Sequence, residues 1–186
     1  FNPSMQNEVV KSYMELNKPD SARIYLAARL LSERGDKIVL NCMMAETYIP
    51  EGQEDSVFVF LDRAMKSYKE KAKNYQKQGK EAILPNCFLS PCYLFADLLW
   101  KKGKIQQASQ YYMIVEPLMK ERVKTPVRME LQIKALTNFS SFCRETKQYE
   151  KALDLLARRD SVLQTYLEFK AKNDKKNYAE RLKIQE

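Results

Sequence analysis

No histidine occurs among the 186 residues. Histidine is the usual general base near neutral pH and the commonest metal ligand. Without it a cysteine or serine nucleophile has no imidazole partner, and a zinc site would need four thiolates. The four cysteines are Cys42, Cys87, Cys92 and Cys143, and no Cys-x2-Cys pair is found among them, so the usual zinc spacing is missing as well. Glycine is nearly as scarce, with four in the chain. Sandwiches, barrels and nucleotide-binding loops use glycine for positive φ or for close approach of the backbone to a ligand. No Gly-rich phosphate loop is present. Long hydrophobic runs are absent too: no stretch approaches the ~18–20 apolar residues of a membrane span, and no signal peptide is visible. Acidic residues such as Glu51, Glu54 and Asp55 fall in a turn and read as helix capping rather than as an acid/base pair. These absences point away from an enzyme and toward a chain with no cofactor and no metal.

What remains is the composition of a folded helical domain. Apolar residues make up 45% and charged residues 30%, ordinary for a soluble core of this size. The formal charge is +8, which raises nucleic acid, an anionic membrane surface or an acidic protein as partners. Lys and Glu are mixed along most segments, so a solvated helical surface is the favoured reading. The run Lys66, Lys69, Lys71, Lys73, Lys77 and Lys80 spreads around its helix instead of forming one stripe. Interleaved aromatics for base stacking are missing, so nucleic acid is not an expected partner. The chain opens at Phe1 instead of Met, as expected of part of a longer protein.

Apolar residues recur at helical spacing in eight segments, arranged as four pairs. The pairs are expected at 4–17 with 19–34, 36–49 with 54–79, 87–102 with 104–122, and 126–146 with 148–172. Pro19 and Pro126 suit first helical turns, Gly35-Asp36 and Gly79 suit helix ends, and Pro117 sits where it would kink or end a helix. Expected inward faces include Ile24, Leu26, Ala27, Leu30 and Leu31 in one helix and Val57, Phe58, Phe60, Leu61, Ala64 and Met65 in another. The aromatic cluster Tyr93, Phe95, Trp100, Tyr111 and Tyr112 reads as core before it reads as a ligand box. Asn173-Asp174 is a possible interruption, so residues 1–172 are taken as the repeat domain and 173–186 as a charged extension or connector, sparsely anchored by Tyr178, Leu182 and Ile184. Cys42 and Cys143 fall inside amphipathic helices as small buried residues. Cys87 and Cys92 flank Pro91, and an oxidising compartment leaves a bridge between them open.

One local pattern occurs four times. A small or β-branched residue is followed four positions later by a bulky apolar one: Ala22 with Leu26, Val57 with Leu61, Ala108 with Tyr112, and Ala152 with Leu156. Residues 92–115 and 136–156 carry it most clearly and resemble the tetratricopeptide repeat. In that family a small residue marks the crossing of two helices, and a Gly-Asp-Tyr-like turn lies upstream. Here Lys102-Gly103-Lys104-Ile105 and Thr146-Lys147-Gln148-Tyr149 take the turn. The first two anchors keep nearly the family length of about 34 residues, the later ones are longer, and the terminal Pro is missing. The resemblance implies an all-α fold, a TPR-like superhelical array of about four antiparallel helix hairpins with degenerate, lengthened repeats. Arrays of this kind bind partners and rarely perform chemistry.

Residues 18–31 and 148–186 also resemble the amino-terminal repeat regions of membrane-bound regulators and sensor histidine kinases of Bacteroides-type bacteria. That resemblance implies a non-catalytic sensory or regulatory protein-interaction domain, extracytoplasmic, whose last helix relays binding to an output elsewhere in a two-component system. The alternatives are a soluble cytoplasmic scaffold and the peptide-sensing part of a transcriptional regulator. A protein or peptide is the expected partner, and a homodimer is left open. First helices of each pair would line the groove, which makes Asn41, Tyr48, Tyr93, Asp97, Asn138 and Arg144 the candidate groove residues. Solvated or capping roles are the alternative for each.

Overall fold

The computed structural model describes residues 3–32 and 35–183. These residues are all-α, with no strand among them. The helices are α1 (Pro3–Glu15), α2 (Pro19–Leu31), α3 (Lys37–Tyr48), α4 (Glu54–Lys77), α5 (Leu89–Lys101), α6 (Ile105–Lys120), α7 (Pro126–Glu145) and α8 (Tyr149–Lys183), with a one-turn 3-10 helix at Asn86–Phe88 before α5. No described helix is long and apolar enough to cross a membrane.

The four-fold pattern of the sequence has a counterpart in the backbone. Each pair turns through one residue of positive φ: Asn17 (54°), Gly52 (65°), Gly103 (75°) and Lys147 (62°). The residue after it donates its N–H to the carbonyl five positions back: Lys18 to Tyr13 (2.9 Å), Gln53 to Tyr48 (3.3 Å), Lys104 to Leu99 (2.9 Å) and Gln148 to Cys143 (2.8 Å). This bond satisfies a carbonyl that the helix end would leave open. That same residue then accepts the first bond of the next helix, from Ala22 (3.3 Å), Val57 (3.1 Å), Ala108 (3.0 Å) and Ala152 (3.0 Å). All four small residues are buried, and three of them have no exposed surface. The repeat is therefore one turn geometry used four times, with a small side chain at a fixed place after it.

Several expected boundaries shift. α2 stops at Leu31, and Ser32 caps it through a backbone bond to Ala28. Gly35-Asp36 thus does not end α2. Asp36 starts α3, its carboxylate accepting the Ile38 N–H at 2.9 Å, the usual N-cap exchange. α6 continues through Pro117 to Lys120. α8 runs unbroken across Asn173-Asp174, so the expected interruption is absent. Ile184 lies outside the described residues.

Some expected inward faces are also corrected. Ile24, Ala27, Leu31 and Phe58 are exposed. With Ala22 and Leu26 facing the core, Ile24 falls about 200° around the helix from Ala22. With Val57, Leu61 and Ala64 buried, Phe58 is rotated about 100° off that stripe.

The chain divides into two compact units, Phe1–Leu118 and Met119–Glu186. In the first, α1 packs on α2, α2 on α3, α3 on α4, and α5 on both α3 and α4. Val10, Ala22, Leu26, Leu40, Met43 and Met44 form one core cluster, with Tyr13, Tyr25, Leu30 and Phe60 packed against it. In the second unit α7 packs along α8. Leu136, Phe139, Phe142, Cys143 and Leu155 are buried there. The buried Gln132 amide donates to the carbonyls of Met119 (2.6 Å) and Glu121 (3.0 Å), holding the connection into α7.

Candidate partner-binding cleft

Glu54 is the first residue of α4, and its carboxylate takes hydrogen bonds from Lys102 Nζ (2.7 Å) and Lys104 Nζ (2.5 Å). The two lysines flank Gly103, whose left-handed backbone lets the chain turn back and places both ammonium groups on the same carboxylate. Lys102 Nζ also donates to the Gly52 carbonyl at 3.2 Å. This strap joins the α3–α4 turn to the α5–α6 turn. Lys102 foremost, and then Lys104, hold the Glu54 carboxyl below its ordinary value.

Beside the strap lies a cleft of about 260 Å³. Phe95 and Leu99 from α5, Tyr111 and Ile114 from α6, and Phe58 from α4 supply its apolar surface. Phe95 is buried and meets Tyr111 edge-on, with ring centroids 4.8 Å apart at 68°, the favoured arrangement of ring quadrupoles. Burial pushes the Tyr111 hydroxyl up to about 12, so it stays protonated and able to donate. Phe58 stands at the mouth, 56% exposed. Glu54, Asp55, Lys104, Gln107 and Gln110 complete the lining. A second cleft, of about 340 Å³ in the other unit, is bordered by charged side chains such as Arg122 and Arg158.

None of the six expected groove residues lines the first cleft. Asn41 is buried and its Nδ2 donates to the Lys37 carbonyl at 2.7 Å. Asp97 is buried and accepts the Tyr112 hydroxyl. Tyr93 is buried, which pushes its hydroxyl up to about 12. Tyr48 is half-buried and stacked on Phe60. Asn138 is half-buried on α7, and Arg144 is exposed in the last turn of the same helix. Asn41 and Asp97 thus have hydrogen-bond partners within the fold, and Tyr93 is packed away from solvent.

The residues that form the cleft were visible in the sequence only as core aromatics or as turn residues. Phe58 was expected to face inward. Gln107 and Gln110 carry no motif. The available signal was the stripe Val57, Leu61 and Ala64, which phases α4 and leaves Phe58 outside it. No protein-family model matches the chain, and neither a curated protein nor a solved structure matches it significantly.

Proposed function

We propose that this chain is a non-catalytic protein-interaction domain that seats an extended segment of a protein or peptide partner at the cleft of Phe58, Phe95 and Tyr111. The observation that carries this reading is Phe58, a large apolar side chain more than half exposed at the mouth of a formed aromatic cleft. Aromatic surface of that kind anchors interfaces. The exposed amides of Gln107 and Gln110 each hold donors and an acceptor, which match the alternating N–H and C=O groups of a peptide backbone. The volume of about 260 Å³ lies below the ~300–1,000 Å³ of small-molecule sites and suits an apolar side chain of a partner.

The shared geometry of the four turns supports a tetratricopeptide-type array. In the wider reading the domain is the sensory part of a larger bacterial membrane-bound signal-transduction protein, lying outside the cytoplasm. α8, uninterrupted over 35 residues, is the element that would relay binding to the output. The test of the binding site is a peptide selected from a random display library on the immobilised domain and then titrated against variants. Phe58→Ala is expected to weaken that peptide about tenfold or more, whereas Ile83→Ala, exposed and outside the cleft, leaves it unchanged. A selected peptide that binds Phe58→Ala as well as the parent sinks the site. Protease added to spheroplasts carrying the full-length protein tests the location: digestion of the repeat region supports it, and protection overturns it.

A further inference from the structure

Three of the four cysteines gather in the first unit. Cys42 lies on α3, Cys87 in the 3-10 turn and Cys92 in the first turn of α5. α3 packs on both of the other elements. Cys42 and Cys92 are each 1% exposed, while Cys87 is half-buried. The Cys42 and Cys87 side chains are neighbours where α3 packs on the 3-10 turn. Oxidation would draw the two sulfurs to the S–S bond length of about 2.05 Å.

Neighbours in sequence are not the pair here. Cys87 and Cys92 lie five positions apart on a nearly continuous helical path. At about 1.5–2.0 Å of rise per residue their Cα atoms stand roughly 8 Å apart. Disulfides span about 4.4–6.8 Å between Cα atoms, so the bridge left open by the sequence is out of reach. Among the described residues no three cysteine or acidic side chains are arranged to hold a metal ion. The chemistry this cluster offers is thiol oxidation.

We propose that Cys42 and Cys87 form a disulfide on exposure to a low-molecular-weight disulfide, with Cys87 reacting first. This proposal stands apart from the peptide-binding reading and survives its failure. Of the three cysteines Cys87 is the one that is not fully buried, and reactivity follows exposure. Its thiolate attacks the disulfide RSSR, which gives the mixed disulfide Cys87–S–S–R and one thiolate RS⁻. Cys42 is held protonated by its contact with Cys87 and by burial, so RS⁻ removes its proton and leaves as RSH. The Cys42 thiolate then attacks the Cys87 sulfur and expels the second RS⁻, which takes up the proton that Cys87 lost at the outset. In sum, two thiols and RSSR give one protein disulfide and two RSH. The bond closes a loop that contains the whole of α4, the helix that carries Phe58.

The test is to treat the reduced protein with oxidised glutathione, block free thiols with an alkylating agent, and map the linkages by mass spectrometry without reduction. Chymotryptic cleavage after Phe88 separates Cys87 from Cys92, which trypsin leaves on one peptide. The expected result is loss of two alkylatable thiols out of four and a linked pair of peptides bearing Cys42 and Cys87. In Cys42→Ser the glutathione adduct is expected to persist on Cys87, and Cys92→Ser is expected to form the bridge as before. Four alkylated thiols, a lasting glutathione adduct on Cys87 of the unmutated protein, or a Cys87–Cys92 linkage would each overturn the proposal. The unmutated protein alone decides the question, so a variant that fails to fold leaves the answer intact.

Discussion

The guanidinium of Arg23 lies 4.0 Å over the ring of Tyr48. Its Nη2 donates to the Thr47 carbonyl at 2.6 Å and meets Glu51 at 2.9 Å, and its Nε donates to Thr47 Oγ1 at 3.3 Å. Tyr48 in turn stacks on Phe60, with centroids 5.6 Å apart and planes 9° from parallel. One side chain from α2 therefore closes the carboxyl end of α3, and the aromatic ring below it passes the contact to α4. The planar fork of arginine makes these bonds and the stack together, which a lysine ammonium cannot do. Arg23→Lys is expected to lower stability by about 1–2 kcal/mol, read as a fall in the urea midpoint. Asp20→Asn, which removes only the exposed partner of the same guanidinium, is expected to stay within about 0.5 kcal/mol. An unchanged midpoint in Arg23→Lys would show that the stack and the Thr47 bonds contribute nothing.

The four turns make a second prediction about backbone alone. Gly103 has φ 75°, and a Cβ added there meets nothing within 4 Å. Gly103→Ala therefore isolates conformational strain, with an expected loss of about 1 kcal/mol. Lys147 holds the same place in the last pair at φ 62° with an exposed side chain. Lys147→Gly relieves that strain and is expected to gain a few tenths to about 1 kcal/mol. Opposite signs in the two thermal melts support a shared turn. Equal signs argue that the two turns are not equivalent.

These turns also explain why the helix pairs were legible in the sequence. A short polar turn and a small or β-branched residue just after it are local signals, and the pattern recurs at 17 and 22, 52 and 57, 103 and 108, and 147 and 152. Caps were legible where chemistry was local, although Asp36 proved to begin a helix and not to end one. The cleft was not legible. Val57 to Leu61 is an unbroken apolar run, and only the stripe that Val57 and Leu61 form with Ala64 shows which side faces the core. By sequence Asp97 reads as a groove residue because it is a polar residue on the first helix of its pair. Its partner Tyr112 lies 15 residues away. The thiol contact is of the same kind, since Cys42 and Cys87 share no local motif.

The small positions predict an asymmetry of volume. Ala108 is fully buried just after the α5–α6 turn. Extra methylenes in such a crossing force side chains off their rotamers or part the helices. Ala108→Leu is expected to cost about 1–3 kcal/mol in urea unfolding. Ala28→Leu, at an exposed position of α2, is expected to remain within about 0.5 kcal/mol. If both substitutions are tolerated alike, the small residue is not required by packing.

Glu46 predicts a pH dependence with a definite sign. Burial pushes its carboxyl up from 4.5 to about 6, against an opposing hydrogen bond from Ser90. Between these two values the folded chain binds more protons than the unfolded chain. Stability from this group is therefore fully present below about 4.5 and is lost as pH rises through about 6, because the folded state must then hold a charge in poorly solvated surroundings. The shift corresponds to something on the order of 2 kcal/mol. Glu46→Gln is neutral at every pH and keeps an acceptor for Ser90. Other titrating groups act alike in both proteins, so the difference between them isolates Glu46. In urea unfolding at pH 4.5, 6 and 7.5, the variant is expected to gain on the parent as pH rises, with most of the change between the first and last values. A difference that stays constant across that range would mean that Glu46 titrates alike in the folded and unfolded chain, and that water reaches it at the α3–α5 contact.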